Sequence, residues 1–285
     1  MSGPLKTRGI VLARWDFGNT SRVINLLTPD RGRLGVLAKG ARRPKGGAGL
    51  GGGLDLLSEN EILCYERRGG GLAVLAEWSE LHGPGAALGG DPVRFAAAGV
   101  LVEYARECSS EGEESGSLYR LLASGIRLAA SAERLIPVAL AAGLAMLSAA
   151  GFKPACETCA GCGLKPPDGT WKGPATLSAG HGGMLCEACA AAAEGQAAAA
   201  ARRGRPVPAG GTGGLVRLSG ETAALLGALL RLSPEAGARL RPSRRAEREL
   251  LGAVEGYGSW RLERRMRTLT ALGRMVGRLE AVGCR

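Results

Sequence analysis

The residues best equipped for chemistry are cysteines. The stretch "FKPACETCAGCG", Phe152 to Gly163, carries Cys156, Cys159 and Cys162 at intervals of three, and "GGMLCEACA" adds Cys186 and Cys189. The spacing C159-x2-C162-x23-C186-x2-C189 predicts two knuckles, each of which turns two thiolates toward one ion. Four thiolates complete a tetrahedral shell that suits Zn²⁺ and leaves no open position, so the expected role is structural. Five thiols compete for four places, because C156-x2-C159 is also an acceptable knuckle, and His181 precedes Cys186 by five residues. Gly163 directly after Cys162 favours the later pair, since a small residue suits the tight turn behind a knuckle's second ligand. An iron–sulfur run would continue x3-C-P after Cys162, but position 166 is Pro and no Cys stands where one is needed.

Other chemistry is hard to find. A lone G-x-G-x-x-G at Gly47, Gly49 and Gly52 sits in a Gly-rich tract with no strand leading in and no helix pattern leading out. There is no G-x4-GK[ST], H-E-x-x-H or G-x-S-x-G, and His82 and His181 are the only histidines. The expectation is a protein without a catalytic site.

Charge points to a polyanion. The 285 residues carry a net +11, unevenly spread. Residues 1–45 hold 10 Lys/Arg against 2 Asp/Glu, residues 84–201 hold 8 against 11, and residues 202–285 hold 17 against 7. A basic excess of this size favours nucleic acid or an anionic surface. Arg14, Arg31, Arg33, Lys39, Arg42, Arg43 and Lys45 are the expected backbone contacts, with Trp15 and Phe17 available to stack on bases. Arg244, Arg245, Arg248, Arg264, Arg265 and Arg267 form a second candidate patch.

These groups must be held by a fold. Residues 1–83 read as about five short strands with turn signals such as "TPDRG", which predicts a small OB-type barrel. From Pro92 the period changes to helical, with Val93, Ala97, Val100 and Tyr104 on one face. The uncharged run Leu135–Phe152 reads as a buried helix rather than a membrane span. Leu262, Met266, Leu269, Val276 and Leu279 predict one long closing helix. The expected class is α+β: a barrel over 1–83, a helical domain over 84–155 and 215–285, a four-cysteine zinc-ribbon-like insertion over 156–190, and a linker over 191–214 that begins as a short Ala-rich helix. No signal peptide is visible, so a cytoplasmic protein with metal-bound thiols is expected.

Taken together, these residues resemble the RecO family of bacterial recombination-repair proteins. The stretches that carry it are "GIVLARWDFGNTSRVINLLTPDRGRLGVLAKGARRPKG", "LSENEILCYERRGGGLAVLAEWSEL", the two cysteine segments and, more weakly, "YGSWRLERRMRTL". The resemblance implies an N-terminal OB-fold, a helical domain and one zinc ion. Counting seven residues on from Phe152, it places the first ligand at Cys159, giving Cys159, Cys162, Cys186 and Cys189 and leaving Cys156 as packing. It further implies binding of single- and double-stranded DNA near the bacterial nucleoid and annealing of complementary strands. Action with RecR to load RecA onto strands coated by single-stranded DNA-binding protein is implied too. The rival reading is an RNA-binding or transcription-associated OB/zinc-ribbon protein, which charge alone does not separate; a metalloenzyme would need an open metal position.

Overall fold

The structure is a computed structural model that describes residues 3–41, 54–67, 70–166, 170–171, 173–202 and 214–283. The chain forms two compact units, 1–131 and 132–285.

The first unit is built on a closed barrel of five strands in the order β1-β2-β3-β5-β4. They are β1 (Pro4–Phe17), β2 (Ser21–Thr28), β3 (Gly32–Ala38), β4 (Glu59–Tyr65) and β5 (Ala73–His82). Neighbours are antiparallel except for β3 and β5, which are parallel. Alternation fixes the faces: in β4, Asn60, Ile62 and Cys64 are buried and the residues between are half-buried. Val11, Ile24, Leu26, Val36 and Ile62 meet in the interior, and Leu26 stands opposite both Val11 and Leu34 in the ladders. A bulge between Val11 and Ala13 shifts the register of β1, so its outer half changes face.

Three helices complete this unit: α1 (Gly85–Gly89), α2 (Pro92–Glu107) and α3 (Gly116–Ser131). Asp91 caps α2 by accepting from the N–H groups of Val93 (2.8 Å) and Arg94 (3.2 Å), with Pro92 in the first turn. The loop between α2 and α3 locks onto the β2–β3 turn. Arg33 N–H donates to Ser110 O, Gly112 N–H to Arg31 O and Ser115 N–H to Pro29 O. Gly32 makes this approach possible: its φ is +58°, and a Cβ there would stand 2.1 Å from Ser110 O. Tyr119 adds a hydrogen bond of 2.6 Å to Glu59 on β4. The barrel itself ends at His82, and the compact unit runs on through α3.

The second unit is organised around α4 (Leu135–Ala149), which is buried on nearly every side from Ile136 to Leu147. This is the uncharged run, and as a helix of about 22 Å it falls short of a bilayer core. Among the described residues no helix is long and apolar enough to cross a membrane. Next come β6 (Ala175–Ser178), β7 (Gly183–Leu185), α5 (Glu187–Arg202) and β8 (Leu215–Leu218). The unit ends with α6 (Gly220–Leu229), α7 (Pro234–Gly237), α8 (Arg244–Arg261) and α9 (Thr268–Gly283).

Two expectations change here. The ribbon is not contained in 156–190, because its sheet has the order β7-β6-β8 and takes its third strand from 215–218. The Ala-rich start of the 191–214 segment is helical and belongs to α5, while 203–213 lies outside the described residues. The single long closing helix is two helices. Leu262 ends α8, Glu263 takes φ +52°, and Arg264 N–H reaches back to Ser259 O (3.1 Å) while Glu263 N–H donates to Trp260 O (3.3 Å). That pair of bonds is a Schellman stop. Met266 is buried in the connector and Leu269 on α9, and the side chain of Leu279 is outside those described.

Candidate metal centre and nucleic-acid interface

The Sγ atoms of Cys159, Cys162, Cys186 and Cys189 all lie within 4.8 Å of one another. Two local structures bring them together. Cys186 leaves the end of β7 and Cys189 follows one turn later in α5. The other knuckle is pinned to this hairpin by Ala160 N–H donating to Met184 O (2.8 Å), and closed by Gly163 N–H donating to Cys159 O (2.8 Å). Gly163 has φ +76°, the left-handed conformation that glycine adopts without strain. Gly161 passes so close to the cluster that a Cβ would sit 3.0 Å from Cys189 Sγ.

The electrostatics fit a cation. Burial pushes the Cys159 thiol up, but hydrogen bonds from the N–H groups of Cys186, Cys162 and Gly161 outweigh it and bring its pKa to about 6. Cys189 is pushed up to about 12, chiefly by the hydrogen-bonded sulfurs of Cys186, Cys162 and Cys159. Four sulfurs this close repel one another as thiolates unless a positive ion stands between them. An all-sulfur donor set of four suits Zn²⁺ and closes the shell.

The competitors stand elsewhere. Cys156 is buried outside the cluster, its thiol pushed up to about 12 by burial, and its carbonyl accepts from Trp171 Nε1–H at 2.7 Å. His181 sits in the β6–β7 turn with Nδ1 2.9 Å from Ser178 Oγ.

The candidate cations of the barrel fall into separate places. Arg14 is exposed near the outer end of β1 and pairs with Asp55. Lys39 is exposed directly after β3. Arg31 and Arg33 belong to the β2–β3 turn at the other end of β3; with about 3.3 Å per residue, Arg33 and Lys39 are some 20 Å apart. Arg33 is half-buried, and its Nε is buried with no acceptor among the described residues. Arg42, Arg43 and Lys45 follow Lys39 in the chain but lie outside the described residues. Beyond the β1 bulge, Arg14 shares the face of Ile24 and Asp16 that of Arg22, to which it is paired at 3.1 Å. Trp15 and Phe17 occupy the other face and are 47% and 55% exposed.

The second basic patch also divides. Arg244, Arg245 and Arg248 are exposed in the first turns of α8, and Arg244 lies 3.4 Å from the buried Glu247, which Arg134 also engages. Arg264, Arg265 and Arg267 are exposed beyond the other end of α8, a helix about 27 Å long. Sequence reasoning missed that Phe152, Trp260 and Arg261 come together beside the latter group. Phe152 is more than a hundred positions from the other two, and no periodicity links them.

A five-stranded OB-type barrel, a helical part and a closed four-cysteine ribbon define the class. The comparisons then narrow it. The family model "Recombination protein O N terminal" matches residues 1–83 and "Recombination protein O C terminal" matches 89–205. The chain is 36% identical over 276 residues to the DNA repair protein RecO of Anaeromyxobacter sp. (strain K), covering 96% of this chain and 98% of that one. It is 31% identical over 267 residues to the DNA repair protein RecO of Streptomyces avermitilis, covering 92% and 95%. This chain belongs to the RecO family.

Proposed function

We propose that this protein is a mediator of recombinational DNA repair. It binds single- and double-stranded DNA, anneals complementary strands and, with RecR, helps RecA load onto strands coated by single-stranded DNA-binding protein. The observation that carries this reading is the mouth of the barrel in a RecO-family chain. There, Lys39 stands beside a hairpin that exposes Trp15 and Phe17, and Arg42, Arg43 and Lys45 follow it in the sequence. Cations at phosphates give affinity for any sequence, and base stacking is equally tolerant. Annealing needs that tolerance, because the base edges must stay free to find their complement. The arginines at the two ends of α8 supply further cationic contacts, to DNA or to an acidic tail of the single-stranded DNA-binding protein.

Cys159, Cys162, Cys186 and Cys189 hold one structural Zn²⁺, which shapes the ribbon and performs no chemistry. The protein works in the cytoplasm, at the nucleoid, and needs no catalytic group. RecA filament assembly on coated strands tests the mediator step. Adding this protein with RecR should shorten the lag, and an unchanged lag contradicts the reading.

A further inference from the structure

A cleft of about 980 Å³ opens in the second unit beside β8 and the C-terminal end of α8. Phe152, Leu215, Val216 and Trp260 form its apolar walls. The Arg261 guanidinium lies 5.4 Å from the ring centre of Phe152 and 5.9 Å from that of Trp260, within cation–π reach of both. Nε1–H of Trp260 and Nε–H of Arg261 are buried, with no acceptor among the described residues. At the rim Arg264 and Arg265 are exposed, with Glu263 the one acidic residue lining the cleft among the described residues.

The ligand that complements these features brings repeated negative charge and a flat apolar face. The chain has only 4 Trp and 3 Phe, and two of these seven line this cleft. That concentration favours a planar partner over an aliphatic one. The wall residues Leu215 and Val216 belong to β8, which pairs with β6 of the cysteine ribbon, so the metal site braces one side of the cleft.

We propose that this cleft is a second single-strand site, separate from the barrel, that seats a nucleotide of a nucleic-acid strand. A base stacks on the partly exposed indole of Trp260, beside the Arg261 guanidinium. The flanking phosphates lie at Arg264 and Arg265. The proposal rests on the DNA-binding reading for the identity of the polymer, and on the second unit alone for the site.

The test is photocrosslinking of the full chain to a short bromodeoxyuridine-substituted single strand, with the attachment points mapped by mass spectrometry. Crosslinks at Trp260 are expected, kept at that position in Trp260→Phe and lost there in Trp260→Leu. The double variant Arg264→Gln, Arg265→Gln changes only exposed side chains, and its fold is checked by its unfolding temperature. It should weaken strand binding three- to tenfold and lower the salt slope by about 1.4. Crosslinks confined to the barrel, with unchanged affinity in the double variant, overturn the cleft site and leave the DNA-binding reading intact. No binding of any strand overturns both. A double variant that binds the strand normally but loses an acidic peptide also overturns the proposal, and makes the cleft a peptide site.

Discussion

The Sγ atoms of Cys162 and Cys186 lie 3.8 Å apart, although 24 positions separate the residues in the chain. A tetrahedron with metal–sulfur bonds of about 2.3 Å has edges of about 3.8 Å, so this pair is already spaced as two corners of a zinc shell. Native mass spectrometry should find one Zn²⁺ per chain. Cys159→Ser should remove it and lower the unfolding temperature by about 5 °C or more. Cys156→Ser should keep the ion, since that thiol packs outside the cluster. A Cys156 variant that loses metal contradicts the ligand assignment.

The separation of Arg33 from Lys39 along β3 splits the barrel's cations into two groups with different expected roles. Charge reversal at Lys39, Arg42, Arg43 and Lys45 should weaken DNA binding for all sequences alike. It should also flatten the salt dependence, by about one unit of slope for each phosphate that goes unneutralised. Reversal at Arg31 should weaken binding less, because it stands at the opposite end of β3 from Lys39, about 20 Å away. Equilibrium binding of a labelled strand across a salt series separates the two. Equal losses from both groups would sink the division.

Gly32 joins the barrel to the helices that follow it. Alanine there meets Ser110 O and Glu113 O and must hold φ +58°. We expect Gly32→Ala to destabilise the protein by about 2–4 kcal/mol in urea unfolding. A change within about 0.5 kcal/mol, the size of a neutral surface substitution, contradicts the close approach.

Glu249 gives a pH dependence. Burial raises its carboxyl pKa, but hydrogen bonds from the Ser219 and Thr222 hydroxyls and the Ser219 N–H outweigh this and hold it below the ordinary value of 4.5. A depressed folded pKa means the stabilisation is complete above the unfolded pKa and is lost as pH falls through the folded one. Glu249→Gln should therefore cost about 1–3 kcal/mol at pH 7, and the gap to wild type should narrow below about pH 4.5. Urea unfolding at about pH 7 and about pH 3.5 measures both. A gap that stays constant contradicts it.

Much of this architecture was legible because its signals are local. Alternation in Glu59–Tyr65 marks a strand with one face inward, Asp91-Pro92 marks a helix start, and two C-x2-C pairs mark a metal shell. What escaped depends on distant or unsignalled geometry. The break after α8 uses Glu263 in the left-handed position where a glycine would have announced it. β8 pairs with a strand some forty residues earlier, across a Pro/Gly-rich stretch that reads as an end rather than a crossing. Neighbouring positions such as Arg33 and Lys39 look like one basic patch until the strand between them is extended.

Annealing of complementary strands tests the central claim most directly. With two complementary oligonucleotides, one labelled with a donor and one with an acceptor fluorophore, this protein should accelerate duplex formation by about tenfold or more at low salt. The acceleration should fall steeply as salt rises and should be lost in the Lys39, Arg42, Arg43, Lys45 reversal variant. A rate no faster than the spontaneous one, in protein that binds the strands, contradicts the account.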